Sequence, residues 1–267
     1  QQPRIVRFSN QLAQNEVIYK ALSNLKENGS LKNETQIRII ETELITMKNK
    51  GIGLEASDKT LFNSRSERLA ELSTIFSNNV LDSTKNWSLL LKNYSEVEGL
   101  PERALETLAL SAKEAGDQAE EGGNPTPSSG PWRVGLDLPR YIPFQTYAKN
   151  RSVREKVYRA FVSRASDGTL DNKKIIEEIL DLRNKQARQL GYQNWCQISL
   201  ATKMAESEEA VEILLEELRS AAMPHAEKEL IQLRECAKRN GEDENFELSP
   251  WDVSFWAEVL RKEKYDL

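Results

Sequence analysis

His225 is the single histidine of the 267 residues. A helical zinc hydrolase site of the zincin type needs two histidines four residues apart, with a Glu after the first to activate water. His225 is followed by Ala226 and Glu227, so even the first half of that pattern is missing. His225 and Glu229 share a helix face and make at most a weak metal pair; a histidine beside the Pro224 bend is the plainer reading. Ser-His-Asp or Cys-His nucleophilic chemistry would also draw on His225, and Ser220, Cys196 and Cys236 sit in helix-like runs without a nucleophile turn. No catalytic residue, metal ligand or substrate-binding residue is assigned on these grounds.

Other chemistry-bearing patterns read as structure. Glu208, Glu209, Glu212, Glu216 and Glu217 interleave with Leu214, Leu215 and Leu218 at helical spacing, the pattern of a solvated helix face. Gly51-Ile52-Gly53 lacks the third glycine and preceding strand of a dinucleotide fingerprint, and no phosphate-binding GxxxxGK[ST] occurs. Trp132, Tyr141, Phe144 and Tyr147 could line a peptide groove, but such clusters more often fill a core at a strand-to-helix junction. Cys196 and Cys236, forty residues apart and without CxxC spacing, read as reduced, half-buried thiols of an intracellular protein.

The elements that must position these residues are almost all helical. Ile5, Phe8, Leu12, Tyr19 and Leu22 fall on one stripe, which ends at the turn-like Asn28-Gly29-Ser30. Ile37, Ile40, Leu44 and Met47 make a second stripe, closed by Gly51 and Gly53. A third helix is predicted from about Asp58 to Leu90, buried through Leu69, Leu72, Phe76 and Val80, with Arg65, Glu67, Arg68 and Glu71 solvated. Pro101 opens a helix that runs to about Glu114. From Gly116 to Gly130 the chain turns to Gly, Pro and Ser, an exposed loop and the first expected site of proteolysis.

Trp132 to Leu138 alternates apolar with polar and predicts a strand, ended by Pro139 and Pro143, with 88–94 as the candidate partner. Helices return over Ser152–Ala165 and from Asp171 to Gly191, the latter with Ile176, Ile179, Leu180, Ala187 and Leu190 buried. Further helices are expected over Gln193–Met204, from Ser207 through a bend at Pro224 to Gly241, and from Ser249-Pro250 onward. The expected organisation is therefore antiparallel helices over 1–115, a loop over 116–131 and a second helical portion over 132–267.

A net charge of −5 and a pI near 5.3 argue against nucleic acid and anionic membrane as partners. No apolar run is long enough to cross a bilayer, and Gln1-Gln2-Pro3-Arg4-Ile5 is not a signal peptide.

Several stretches resemble the thimet oligopeptidase and oligopeptidase A family of zinc metallopeptidases. They include Gly53-Leu54-Glu55, Phe62-Asn63, the run Leu69 to Asp82, Gly99-Leu100-Pro101, and Leu136-Asp137-Leu138-Pro139 with Pro143-Phe144. Asn150-Arg151 through Ser166, Asp171-Asn172 to Tyr192, Ser199 to Ala205, and Trp251-Asp252-Val253 with Phe255-Trp256 continue the match. The resemblance implies a mainly α fold, a multi-helix lobe of a zincin-type oligopeptidase with a minor strand or hairpin near 88–94 and 132–138. It also implies cleavage of short peptides in a channel, with zinc held by an HExxH helix and a downstream Glu. None of those positions has a counterpart here, so both ends look truncated relative to the family.

Two readings follow. The chain is part of an oligopeptidase whose HExxH segment lies elsewhere, and is inactive alone. Or it is a short, non-catalytic relative, a helical module for peptide or protein binding. Zinc is expected for the complete family member and none for this chain. The expected partners are short peptides and the missing catalytic portion or a full-length relative. The expected compartment is intracellular: the cytoplasm first, with chloroplast or mitochondrion as alternatives.

Overall fold

The computed structural model describes residues 2–28, 33–119 and 122–265. Gly29 and Ser30 of the expected turn, Glu120 and Glu121 of the expected loop, and the terminal Asp266 and Leu267 lie outside the described residues. In chain order come α1 (Gln2–Ala13), α2 (Glu16–Glu27), α3 (Glu34–Asn49), α4 (Ala56–Asn86) and β1 (Ser88–Leu91). Then follow α5 (Glu102–Glu114), β2 (Trp132–Gly135), α6 (Leu138–Tyr147) and α7 (Arg151–Val162). The last elements are α8 (Lys173–Gln189), α9 (Trp195–Leu200), α10 (Glu208–Arg239) and α11 (Pro250–Tyr265). The fold is mainly α. The chain forms two compact units, Gln1–Asn78 with Asn172–Leu218, and Asn79–Asp171 with Arg219–Leu267.

In the first unit, the single stripe expected from Ile5 to Leu22 is broken at Asn15. Its side chain accepts the backbone N–H groups of Val17 (2.9 Å) and Ile18 (3.1 Å), so the chain stops and restarts as α2. The polar side of α1 then faces inward. Asn10 is buried and donates to Asn63 Oδ1 (3.2 Å), while Gln14 donates to Lys50 O (2.7 Å) and Asn63 Oδ1 (2.8 Å). Ile5, Phe8 and Leu12 are exposed rather than core.

The α3 stripe behaves as expected at Leu44 and Met47, which are buried. Gly51 ends the helix at φ +85°, letting Ile52 N–H return to Met47 O (3.2 Å) and tuck its side chain inward. Along α4, Phe62 and Leu72 are buried, but three of the residues expected to be solvated are half-buried and bonded. Arg68 makes two hydrogen bonds to Glu178 (2.7 and 2.9 Å), Arg7 two to Glu67 (2.9 and 2.7 Å), and Arg65 donates to Gln189 Oε1 (2.9 Å). These tie α4 to α1 and α8. On α8, Ala187 is buried as expected, whereas Ile176 and Leu180 are exposed; the buried polar Gln186 takes inward space, donating to Ser66 Oγ (2.7 Å) and Phe62 O (3.2 Å).

In the second unit, the predicted strand pairs with the predicted partner. β1 and β2 are antiparallel, with Ser88 opposite Gly135 and Leu91 opposite Trp132. Leu91, Trp132, Val134 and Leu136 bury into a core shared with Leu108, Phe144, Val153 and Val157. Trp132 Nε1 donates to Pro127 O (3.1 Å) and Arg133 pairs with Asp117 (2.7 Å), so both flanks of the Gly/Pro/Ser stretch are anchored to β2. The two prolines expected to end the strand instead lie inside α6. Pro139 falls in the first turn, where no N–H is needed, and Pro143 forfeits only one helical bond. Asn150 caps α7 by accepting Val153 N–H (3.3 Å). Gly99, at φ +93°, lets the chain pass close to the Tyr147 carbonyl oxygen.

Candidate functional site

The most strongly built polar cluster lies in the second unit, where Asp252, on the first turn of α11, has no exposed side-chain surface. It accepts from Arg151 Nη2 (2.7 Å) and Nε (3.0 and 3.1 Å), from Arg154 Nη2 (2.9 Å) and from the Ser249 N–H (3.0 Å). Arg154, also buried, spends its remaining N–H groups on the carbonyls of Ala148 (2.7 Å), Lys149 (3.1 Å) and Trp251 (3.1 Å), and stacks over Phe255 at 4.2 Å. Burial alone would raise the Asp252 carboxyl, but Arg151, the Ser249 N–H and Arg154 together hold it below the usual carboxylate range. Burial pulls the Arg154 guanidinium below its ordinary value despite Asp252. Both carboxylate oxygens of Asp252 are engaged within the protein, so the cluster pins α11 to α7 rather than presenting a reactive group.

In the first unit, α2, α3, the turn after it and the end of α8 enclose a cavity of about 500 Å³. Tyr19, Ile52, Leu54 and Leu190 supply apolar wall, and Lys48, Lys20 and Glu16 supply charge. Lys20 and Glu16 pair across one helical turn (3.5 Å). The Gly51–Leu54 turn sets the wall, because a Cβ on Gly51 would press on Leu54 Cδ1 at 2.9 Å. A mixed apolar and charged concavity of this size suits a side chain or two of a peptide. Nothing in the spacing of these residues announced it, since they come from three helices far apart in sequence.

The residues singled out by type are placed as follows. His225 and Glu229 are exposed on α10. Cys196 is exposed and Cys236 buried, rather than both half-buried, and burial pushes the Cys236 thiol up. Trp132 and Phe144 are core; Tyr141 stacks on Phe161 at 3.9 Å between ring centres, and Lys262 lies 5.2 Å over Tyr147. Trp132 and Phe144 are core filling, while half-buried Tyr147 also lines a cavity of about 400 Å³ with Pro101, Pro139 and Pro143. The Asp252 cluster was legible only as two separate motifs, Asn150-Arg151 and Trp251-Asp252-Val253, about a hundred residues apart.

Those motifs belong to a wider match. Residues 1–59 match the Neurolysin/Thimet oligopeptidase N-terminal domain and residues 144–267 match Peptidase family M3. The probable cytosolic oligopeptidase A of Arabidopsis thaliana is 42% identical across the whole chain. The chain belongs to peptidase family M3. The organellar oligopeptidase A (chloroplastic/mitochondrial) of the same plant is 41% identical over the whole chain, and the oligopeptidase A of Escherichia coli strain K12 is 37% identical over 99% of it. The chain spans 37%, 33% and 38% of the length of these three relatives.

The zinc of family M3 does not fit these residues. Its helix would need a second histidine, and the one present is exposed on α10 with no third donor beside it among the described residues. Within the described residues, no helix is long and apolar enough to cross a membrane.

Proposed function

We propose that these residues are the helical portion of a zinc-dependent oligopeptidase that cuts short peptides, with the HExxH helix in the length that family M3 relatives have beyond the shared segment. The observation that carries this reading is the 42% identity over the whole chain to a probable cytosolic oligopeptidase A. On this reading the Asp252 cluster and the ion pairs of α4 hold a rigid helical framework, and the cavity beside Tyr19 and Lys48 contacts peptide. Short peptides are the substrates, and the cytoplasm, or a chloroplast or mitochondrion, is the compartment.

The test is the intact mass, zinc content and peptidase activity of the natural protein. A mass well above 30.5 kDa, about one zinc per chain and chelator-sensitive cleavage of a quenched fluorescent oligopeptide are expected. The 267-residue chain alone is expected to leave that substrate intact with or without added zinc. A natural, zinc-free protein of 30.5 kDa would overturn the reading in favour of a non-catalytic helical module.

A further inference from the structure

Leu190 and the end of α3 line not only the cavity beside Tyr19 but also a second, smaller one of about 220 Å³ in the first unit, shared with α4, α8 and α9. Its wall carries polar groups that the protein leaves partly unused. Gln186 lines it and is 2% exposed. Gln186 Nε2 donates to Ser66 Oγ (2.7 Å) and to Phe62 O (3.2 Å), and a carbonyl can only accept, so the two ends of this amide are told apart. Among the described residues no donor meets its Oε1, an acceptor that is costly to leave unpaired when buried. Asn49 is the complement: its Oδ1 accepts the Tyr192 hydroxyl (2.8 Å), which leaves its NH2 group over.

Trp195 adds an aromatic wall, and the turn that carries it is fixed before anything binds. Tyr192 N–H returns to Ala187 O (2.9 Å) to close α8, and Asn194 opens α9 by accepting the Gln197 N–H (3.2 Å). A buried acceptor, an NH2 donor and a flat apolar wall together match the carboxamide group. Its NH2 donates to Gln186 and its carbonyl accepts from Asn49. A carboxylate would set oxygen against oxygen at Gln186, and an apolar side chain would leave both groups unpaired.

The neighbouring cavity bears on what carries the carboxamide. Lys48 lines the larger cavity, and Asn49 and Lys50, next in the chain, line the smaller. Of the described residues lining the two, Lys20, Lys48 and Lys50 are basic and Glu16 alone is acidic, in a chain of net charge −5. We propose that the two cavities are adjacent subsites for a peptide, the smaller holding a glutamine side chain and the larger, at Lys48, an acidic neighbour. The inference deepens the oligopeptidase reading and rests on it for the peptide character of the ligand.

The experiment is isothermal titration of the natural full-length polypeptide, stripped of zinc by a chelator so that nothing is cut. N-acetyl-Glu-Gln-Glu-amide is compared with N-acetyl-Glu-Met-Glu-amide, which has a similar shape without the carboxamide; acids on both sides make the chain direction immaterial. The glutamine peptide is expected to bind about tenfold tighter or more. Asn49→Asp keeps an acceptor for Tyr192 and puts oxygen where the NH2 group was, so it should erase that advantage. Lys48→Met should weaken both peptides alike, by about threefold. Gln186→Leu should also erase the advantage; it removes two bonds between α8 and α4, and if it fails to fold, Asn49→Asp decides alone. Equal affinities for the two peptides, or an advantage untouched by Asn49→Asp, overturn the proposal. With zinc restored, cleavage of a quenched fluorescent oligopeptide separates the two readings. An active enzyme blind to glutamine loses only the subsites, and an inactive protein that keeps the glutamine preference loses only the oligopeptidase reading.

Discussion

Replacing Asp252 by Asn removes one negative charge and keeps the side chain's shape. Arg154 is 1% exposed, so its guanidinium would stay buried without a counter-charge, and removing one partner of a buried pair costs about 3–5 kcal/mol. Three carbonyl acceptors remain to Arg154, which places the loss at the lower end, about 3 kcal/mol. Arg151 is 43% exposed, and its contribution is discounted to about 0.5 kcal/mol by solvent screening. The sum is a large share of the roughly 5–15 kcal/mol that stabilises a domain. Urea unfolding followed by tryptophan fluorescence reads it, since Trp87, Trp132, Trp251 and Trp256 belong to the second unit and only Trp195 to the first. The expected result is a lower midpoint at unchanged slope. In Arg154→Met with Asp252→Leu, both charges are gone, and much of the loss should be recovered. Acid supplies the sign. Asp252 is held below its ordinary value of about 3.9, so its contribution is present above that pH and lost as pH falls through the depressed value. Wild type and Asp252→Asn should therefore differ equally from pH 7 to about pH 4, then converge. An Asn variant within 1 kcal/mol of wild type at pH 7, or a difference that closes already at pH 6, refutes the buried-pair account.

Two further substitutions separate backbone conformation from crowding. Gly116→Ala meets only the penalty of a left-handed alanine, about 1 kcal/mol, because nothing lies near its Cβ position. Gly99→Ala adds overlap with the Tyr147 carbonyl oxygen and should lose at least ~2 kcal/mol more by urea unfolding; equal losses would mean the chain shifts there at little cost. For the thiols, the native protein should show one fast equivalent with a maleimide, from exposed Cys196, and a second only in denaturant, from Cys236, whose burial also keeps it protonated at neutral pH. Two fast equivalents without denaturant would contradict the burial of Cys236.

Local chemistry was legible in the residues. Ser249-Pro250 before α11 and the alternation from Trp132 announce their elements because caps, turns and strand pleating act over a few residues. The histidine count bears on zinc binding by these residues without any coordinates, and the ordered motifs carry the family. Tertiary structure decided which faces meet. The stripe Ile5, Phe8 and Leu12 is apolar yet exposed, while Asn10 on the opposite side is buried, because periodicity reports that a side is apolar and not what lies against it. Pro143 sits within α6 despite the helical hydrogen bond it forfeits, next to the fully buried Phe144. Arg151 and Asp252 are 101 positions apart, and only the packing of α11 on α7 could turn two separate motifs into one charge cluster. Gln186 and Asn49 follow the same logic: nothing in the spacing of two amides so far apart in sequence announces that the fold sets them around one cavity.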